Sequence, residues 1–258
     1  MSGSFLERIT SARRADAVAR AGPLEALRDE AAASLPPVDF AAALARPGTS
    51  LIAEVKRASP SAGDIAAAAD PVAQARAYAA AGAQAISVLT EPDHFKGSLD
   101  DLRAVRAVVD LPLLRKDFIC HAVHVLEARA AGADAVLLIV AALDDAELRD
   151  LHELASELGM AVLVEVHGGG EVPRALAAGA AIIGINTRNL ATLEVDIATV
   201  EHLRPSIPAG VLVVGESGIK TRADVERMET AGVDAVLIGE TLMRAGDPAQ
   251  TIRALLGR

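Results

Sequence analysis

One phrase recurs through the chain and limits what it can fold into. Ala81-Gly82-Ala83-Gln84-Ala85-Ile86, Ala131-Gly132-Ala133-Asp134-Ala135-Val136, Ala178-Gly179-Ala180-Ala181-Ile182-Ile183 and Ala231-Gly232-Val233-Asp234-Ala235-Val236 stand about 50 residues apart, too far for one βα unit and right for two. Each reads as a helix closed by glycine that runs straight into a buried strand. Four more apolar runs lie between or before them, at 51–55, 111–114, 161–166 and 211–214, so the pattern predicts eight short strands. Ala/Leu-rich stretches separate them, with helices expected over 99–109, 121–131, 144–158 and 222–230. Continuous apolar strands alternating with helices make a parallel sheet covered by helices, and eight such units predict an α/β fold, a single (β/α)8 TIM barrel. The alternative is a doubly wound open sheet, but no Gly-x-Gly-x-x-Gly follows any strand.

At 258 residues and 52% hydrophobic, the chain suits one such barrel with a substantial core. Residues 1–48 lack strand character. Apolar residues at Phe5, Leu6 and Ile9, then Ala17, Val18, Leu24 and Leu27, have helical spacing until Pro36-Pro37 interrupts. They predict a helical N-terminal extension packed on a catalytic barrel of residues 49–258. No apolar run approaches the roughly 20 residues of a membrane span, and the N-terminus lacks the apolar core of a signal peptide. The reading is therefore cytoplasmic, with no membrane partner. A net charge of −10 without any basic block, and 2% aromatic content without Trp, argue against nucleic acid. Cys120 is the single cysteine, which excludes an internal disulfide framework and a zinc site of paired thiols, and it reads as a small packed residue. With no long apolar face left over, a monomer is expected.

In such barrels the active site lies at the C-terminal ends of the strands. The odd-numbered strands all end in charge: Glu54, Lys56 and Arg57 on the first; Arg115, Lys116 and Asp117 on the third; Glu165 and His167 on the fifth; Glu216 and Ser217 on the seventh. Alternation puts Glu54 and Lys56 on one face, and a mixed ring of lysines and glutamates at one barrel mouth follows. Such a ring offers acids and bases, because neighbours and burial move lysine and glutamate away from their usual protonation states. A salt bridge capping the core would explain one charged strand end; four favour chemistry.

Gly215-Glu216-Ser217-Gly218-Ile219 after the seventh strand and Ile238-Gly239-Glu240 after the eighth are small and glycine-containing, so backbone N–H groups can approach an anion. These are the two loops where barrels commonly hold phosphate. His121 and His124 have a metal-compatible spacing but no visible partners, and read as exposed helix residues. Gly168-Gly169-Gly170 reads as a flexible loop, since no Lys-Ser or Lys-Thr follows to make a phosphate cradle.

Taken together, Ile52-Ala53-Glu54-Val55-Lys56-Arg57-Ala58-Ser59-Pro60-Ser61 resembles the first-strand signature of indole-3-glycerol phosphate synthases. Leu89-Thr90-Glu91 with Phe95-Lys96-Gly97-Ser98, Leu114 to Ile119, Leu163 to His167, Gly184 to Leu190 and Gly215 to Ile219 resemble the later strand-end motifs of that family. The resemblance covers essentially the whole chain. It implies a small phosphorylated substrate, 1-(2-carboxyphenylamino)-1-deoxyribulose 5-phosphate, with neither metal nor organic cofactor. It implies Lys116 as general acid, Glu165 and Lys56 in the other proton transfers and the dehydration, and Glu54 pairing with Lys56. Asn186, Arg188, Glu216 and Ser217 would position substrate, Arg188 or Lys56 holding the carboxylate that departs. Ser59, Gly218, Gly239 and Glu240 would surround phosphate, and Phe95, Phe118, Leu137, Ile139 and Leu190 would form an apolar slot for the aromatic ring.

The chain departs from the family at Gly168-Gly169-Gly170, where an acidic helix start is usual, and at Thr187, where Asn or Ser is usual. With no room for a fused isomerase domain, a monofunctional enzyme is expected. The rival readings are another phosphosugar barrel such as phosphoribosylanthranilate isomerase, a Schiff-base aldolase, and a phosphometabolite-binding barrel without turnover.

Overall fold

The computed structural model describes residues 4–20, 24–189 and 192–258. Eight parallel strands follow one another round a closed barrel: β1 (Ser50–Val55), β2 (Ala85–Leu89), β3 (Leu113–Lys116), β4 (Ala135–Ile139), β5 (Ala161–Val166), β6 (Ile182–Asn186), β7 (Leu212–Glu216) and β8 (Ala235–Ile238), which pairs back onto β1. These are the eight expected strands. β3 and β7 run further than their apolar stretches, through Lys116 and Glu216, because a strand keeps its pairing after its inward side chains turn polar. A short antiparallel ribbon, Ala58–Ser59 with Gly63–Asp64, follows β1.

The recurring phrase does two jobs. Gly82, Gly132, Gly179 and Gly232 all have positive φ, between 84° and 92°, and end the helix before each even strand. Two residues later, the side chains of Gln84, Asp134 and Asp234 accept the N–H of Leu51, Leu113 and Val213 at 2.7, 2.7 and 2.8 Å. Each therefore fastens the start of the neighbouring odd strand. Ala181 has no such side chain, and there Leu212 bonds to its carbonyl instead.

Alternation divides the apolar residues into two layers. Ile52, Ala85, Leu114, Ala135, Leu163, Ile182, Val214 and Ala235 fill the barrel, while Leu51, Ile86, Val136, Val164, Ile183, Val213 and Val236 pack outward. The outer layer meets the helices α4 (Pro71–Ala80), α5 (Leu99–Arg106), α6 (Ala122–Ala130), α7 (Asp145–Glu157), α8 (Val172–Ala177), α9 (Ala198–Leu203), α10 (Arg222–Ala231), α11 (Glu240–Met243) and α12 (Pro248–Leu255).

Among the described residues, α1 (Phe5–Arg20), α2 (Leu24–Ala33) and α3 (Phe40–Leu44) precede β1. Phe40 and Leu44 of the third join the inner core, and Ser50 Oγ donates to the Leu44 carbonyl at 3.0 Å, so this helix stoppers the N-terminal end of the barrel. The first helix buries Leu6, Ile9, Arg13 and Ala17, a stripe spaced by three and four residues. Val18, expected within the apolar stripe, lies one position off it and is 67% exposed. Arg13 donates to Asp117 at 2.8 Å and Arg14 to Glu147 at 2.9 Å, tying this helix to the loop after β3 and to α7. Among the described residues no helix is long and apolar enough to cross a membrane.

Candidate active site

The charges that end β1 and β3 fall into two populations. Glu54 and Lys56 point into the barrel, with Lys56 Nζ 2.6 Å from Glu54 Oε1. Arg57 turns away and grips Asp101 of α5 through bonds of 2.6 and 2.8 Å. On β3, Lys116 points inward. Arg115 points outward and donates to Thr90 Oγ1, the His124 carbonyl and Asp117. The strand-end lysines and glutamates meet in one ring, while Arg57, Arg115 and Asp117 face outward, because successive residues of a strand face opposite sides.

The ring proper consists of Glu54, Lys56, Lys116, Glu165 and Glu216. Lys116 Nζ lies 3.0 Å from Glu165 Oε2 and 3.5 Å from Glu216 Oε2. The other oxygen of Glu165 lies 3.3 Å from His167 Nε2. Glu171 anchors His167, accepting its backbone N–H at 2.7 Å with Nδ1 3.8 Å away. Gly168-Gly169-Gly170 forms the tight turn between them, where the Glu171 N–H returns to the Gly168 carbonyl at 3.0 Å.

Burial opposes the charge of Lys116, but the attraction of Glu165, Glu216 and Glu54 outweighs it and raises its pKa. Burial likewise opposes the charge of Glu165, and Lys116 and His167 together hold it well below the usual carboxylate range. Glu216 differs: burial, with repulsion from Glu165 and Glu54, prevails over the pull of Lys116 and pushes it up to about 8. The ring therefore favours a cationic lysine and holds a proton more readily on Glu216 than on Glu165. His167, despite burial, is raised to about 9 by Glu165 and Glu171.

Over the ring opens a cavity of about 1320 Å³. The arc from β2 to β4 gives it an apolar wall of Phe95, Phe118, Leu137 and Ile139, with the rings of Phe95 and Phe118 6.0 Å apart. The arc from β7 through β8 to β1 brings Gly218, Gly239, Glu240 and Ser59. Glu240 bonds its carboxylate to Arg244 at 3.0 Å, so its backbone is what it can offer an anion. From β6, Asn186 Oδ1 accepts from Ser217 Oγ at 2.8 Å and from the Arg188 N–H at 3.0 Å. Ser217 and Gly218 both have positive φ, 69° and 77°, which bends the chain sharply after β7. All the site residues expected from the sequence line this cavity except Leu190, which lies outside the described residues.

The fold and this ring can be set against known proteins. The family model for indole-3-glycerol phosphate synthase matches residues 6–255. The chain belongs to that family. Its relatives include the indole-3-glycerol phosphate synthase of a Nocardioides strain, 52% identical over 98% of both chains, and that of Mycolicibacterium smegmatis, 49% identical over 99% of this chain and 94% of the other. Among solved structures, a 3-hexulose-6-phosphate synthase superposes with a TM-score of 0.62 at 18% identity over 81% of this chain and 99% of its own. Thiamine phosphate pyrophosphorylase from Pyrococcus furiosus gives 0.61 at 18% over 80% and 93%. At that identity the likeness is one of fold.

For a member of this family the cavity also has walls that the sequence pattern passed over. Phe5, an apolar helix residue by its spacing, stands edge-on to Phe118 with centroids 6.3 Å apart and lines the cavity; nothing in helical periodicity separates a cavity-facing residue from a core one. Lys220 and Arg244 line the arc from β7 to β8; the signal for Lys220 was its place directly after the glycine-containing loop. Glu91 accepts the N–H groups of Asp93, His94 and Phe95 at 3.1, 2.8 and 3.0 Å and so builds the turn that carries Phe95. His124, read from the sequence as an exposed helix residue, is fully buried, and that reading is corrected: burial and the neighbouring Arg115 and Arg13 lower it to about 3, keeping it neutral beneath the first helix. Among the described residues no three His, Cys, Asp or Glu are grouped to hold a metal ion.

Proposed function

We propose that the ring of Lys116, Glu165, Lys56 and Glu54 carries out the family's reaction, converting 1-(2-carboxyphenylamino)-1-deoxyribulose 5-phosphate to indole-3-glycerol phosphate, carbon dioxide and water. The observation that carries this reading is the Lys116 ammonium held between two buried carboxylates on the cavity floor. As the aromatic carbon bearing the carboxylate attacks the sugar carbonyl, Lys116 gives its proton to the carbonyl oxygen, which becomes a hydroxyl. Carbon dioxide then leaves, and its bonding pair restores the aromatic ring. Glu165 and Lys56 serve the remaining proton transfers: a base removes a ring proton and an acid protonates the departing hydroxyl, completing the indole. Glu54 holds Lys56 within reach.

The rest of the cavity fits the other ends of that substrate. Ser59, Gly218, Gly239 and Glu240 flank the phosphate, with Asn186, Glu216 and Ser217 positioning the sugar and Arg188 or Lys56 meeting the carboxylate. Phe95, Phe118, Leu137 and Ile139 take the aromatic ring. A Schiff-base reading is disfavoured because such a lysine must be a neutral amine, whereas its neighbours raise the pKa of Lys116. The reading takes residues 49–258 as one catalytic domain carrying 1–48, working as a cytoplasmic monomer; light scattering on the purified chain checks the last point.

The chain contains no Trp, so indole fluorescence must come from product. Incubation with the carboxyphenylamino-deoxyribulose phosphate is expected to yield that emission from the native chain and to lose nearly all of it in Lys116→Ala. Substrate binding without any emission from the native chain would overturn the reading in favour of a different phosphosugar reaction.

A further inference from the structure

Three carboxylates of the ring stand on alternate strands, and each gap between them holds a glycine. Round the barrel the order is Glu54 on β1, Gly239 at the end of β8, Glu216 on β7, Gly184 on β6 and Glu165 on β5. Gly184 stands directly beside Glu165 in the β5–β6 register, while Glu216 is opposite Asn186, two residues further along β6. To approach Lys116 and Glu165, the Glu216 side chain must lean back across β6, and it does so over Gly184. A Cβ placed on Gly184 would overlap Glu216 Oε1 and lie 3.2 Å from its Cδ. On the other side, Gly239 follows Ile238, which is opposite Ala53. A Cβ there would overlap Glu54 Oε1, and its next nearest atoms, at 3.0 and 3.1 Å, also belong to Glu54.

Conformation does not demand glycine at either place. Neither residue has positive φ, and at Gly239 φ is −119°. The nearest obstacle in both cases is a ring carboxylate, not backbone. Gly184 and Gly239 are thus glycines for space alone, and the space is taken by catalytic-site oxygens.

We infer that Gly184 and Gly239 are positioning residues, spacers whose missing side chains let Glu216 lean across β6 to join Glu165 at Lys116 and let Glu54 lie over the end of β8 where it pairs with Lys56. The inference rests on the reading of that ring as the reacting machinery. It separates two properties of Gly239: its main chain serves the phosphate loop, and its absent side chain seats Glu54. A barrel interior built from alternate strands in layers would otherwise put a bulky branched side chain at these points.

The test is a double-mutant cycle on kcat with the carboxyphenylamino-deoxyribulose phosphate. Gly184→Ala is expected to lower kcat about 10- to 100-fold, the penalty of displacing a reacting group by an ångström or so. In a Glu216→Ala background the same substitution is expected to cost less than about threefold, because the atoms it would displace are gone. A purely structural role would not produce that non-additivity. Gly184→Ala with kcat within threefold of native, or an equal cost in both backgrounds, overturns the inference. If Gly184→Ala fails to fold alone but folds with Glu216→Ala, the steric conflict is located in Glu216 and the inference stands. If it folds in neither, the parallel cycle of Gly239→Ala against Glu54→Ala decides by the same criteria. Lys116→Ala is the control: activity surviving that change would sink the reading of the ring, whereas activity lost there but retained in Gly184→Ala sinks the spacer inference alone.

Discussion

Strand β3 carries two buried charge clusters, one on each side, and they are built to opposite ends. Outside the barrel, Asp117 Oδ2 accepts from Arg13, Arg115 and Thr90 at 2.8, 2.8 and 2.7 Å, and Oδ1 accepts from the Phe118 N–H. Burial works against its charge, but the arginines prevail and hold it down at about 2. Inside the barrel, carboxylates outnumber lysines, Glu216 is pushed up to about 8, and among the described residues its Oε1 has no hydrogen-bond partner. In the outer cluster two arginines share Asp117, with Asp16 and Glu127 as their further partners, and the cluster fixes the first helix to β3. The inner one is over-supplied with acid, which favours keeping a proton on it. Burial alone does not mark a functional site; a surplus of like charge facing a cavity does.

The comparison can be broken most directly by exchanging outcomes. Lys116→Ala is expected to lower kcat about 10²- to 10⁴-fold while the melting temperature moves by only a few degrees. Asp117→Ala, which removes the buried carboxylate shared by two guanidinium groups, is expected to cost about 3–5 kcal/mol of stability, or roughly 10 °C in thermal melts. If Asp117→Ala instead melted like the native chain and lost turnover as deeply as Lys116→Ala, the outer cluster would belong to the chemistry and the distinction would collapse.

Stability against pH sharpens it further. The pKa of Asp117 falls from 3.8 to about 2 on folding, so its contribution is present above pH 4 and lost as pH drops toward 2. That of Glu216 rises from 4.5 to about 8, so this group costs the native state nothing below pH 4.5 and progressively more as pH climbs toward 8. Melting curves of Glu216→Gln relative to native should therefore show a gain that grows between those limits and then levels off, and a gain independent of pH would contradict the assignment. The smallest effect is expected at His167. Below about pH 9 its positive charge helps keep Glu165 ionised, so His167→Gln is expected to lower kcat several-fold there and to match native above it. A pH–rate profile with the native step near pH 9 still present in the variant would assign that step elsewhere.

Much of this was legible in the chain. The fourfold phrase announced the strand count, and the order of charged strand ends pointed to the face where the cavity opens. Lys116, Glu165, Lys56 and Glu54 could be named because they are polar residues interrupting apolar runs. Arg115 and Asp117 stand out for the same reason, and a run of three charges does not say which of them faces inward; the structure turns both outward. His124 is a true misreading: a polar residue near a helix start looks exposed until the first helix is laid over it. Phe5 was invisible as a cavity residue because its approach to Phe118 comes from a segment more than a hundred positions away.

By itself the sequence determined the eight-unit barrel and the charged residue types gathered at the strand ends, because these follow from local periodicity and from the aversion of charge to apolar surroundings. Only the tertiary structure decided how those charges are shared: which carboxylates meet at Lys116, which aspartate is neutralised outside the barrel, and why Gly184 and Gly239 carry no side chain. The physical reason is that electrostatic and steric terms act across strands at distances of a few ångströms, between residues whose separation along the chain carries no trace of their meeting.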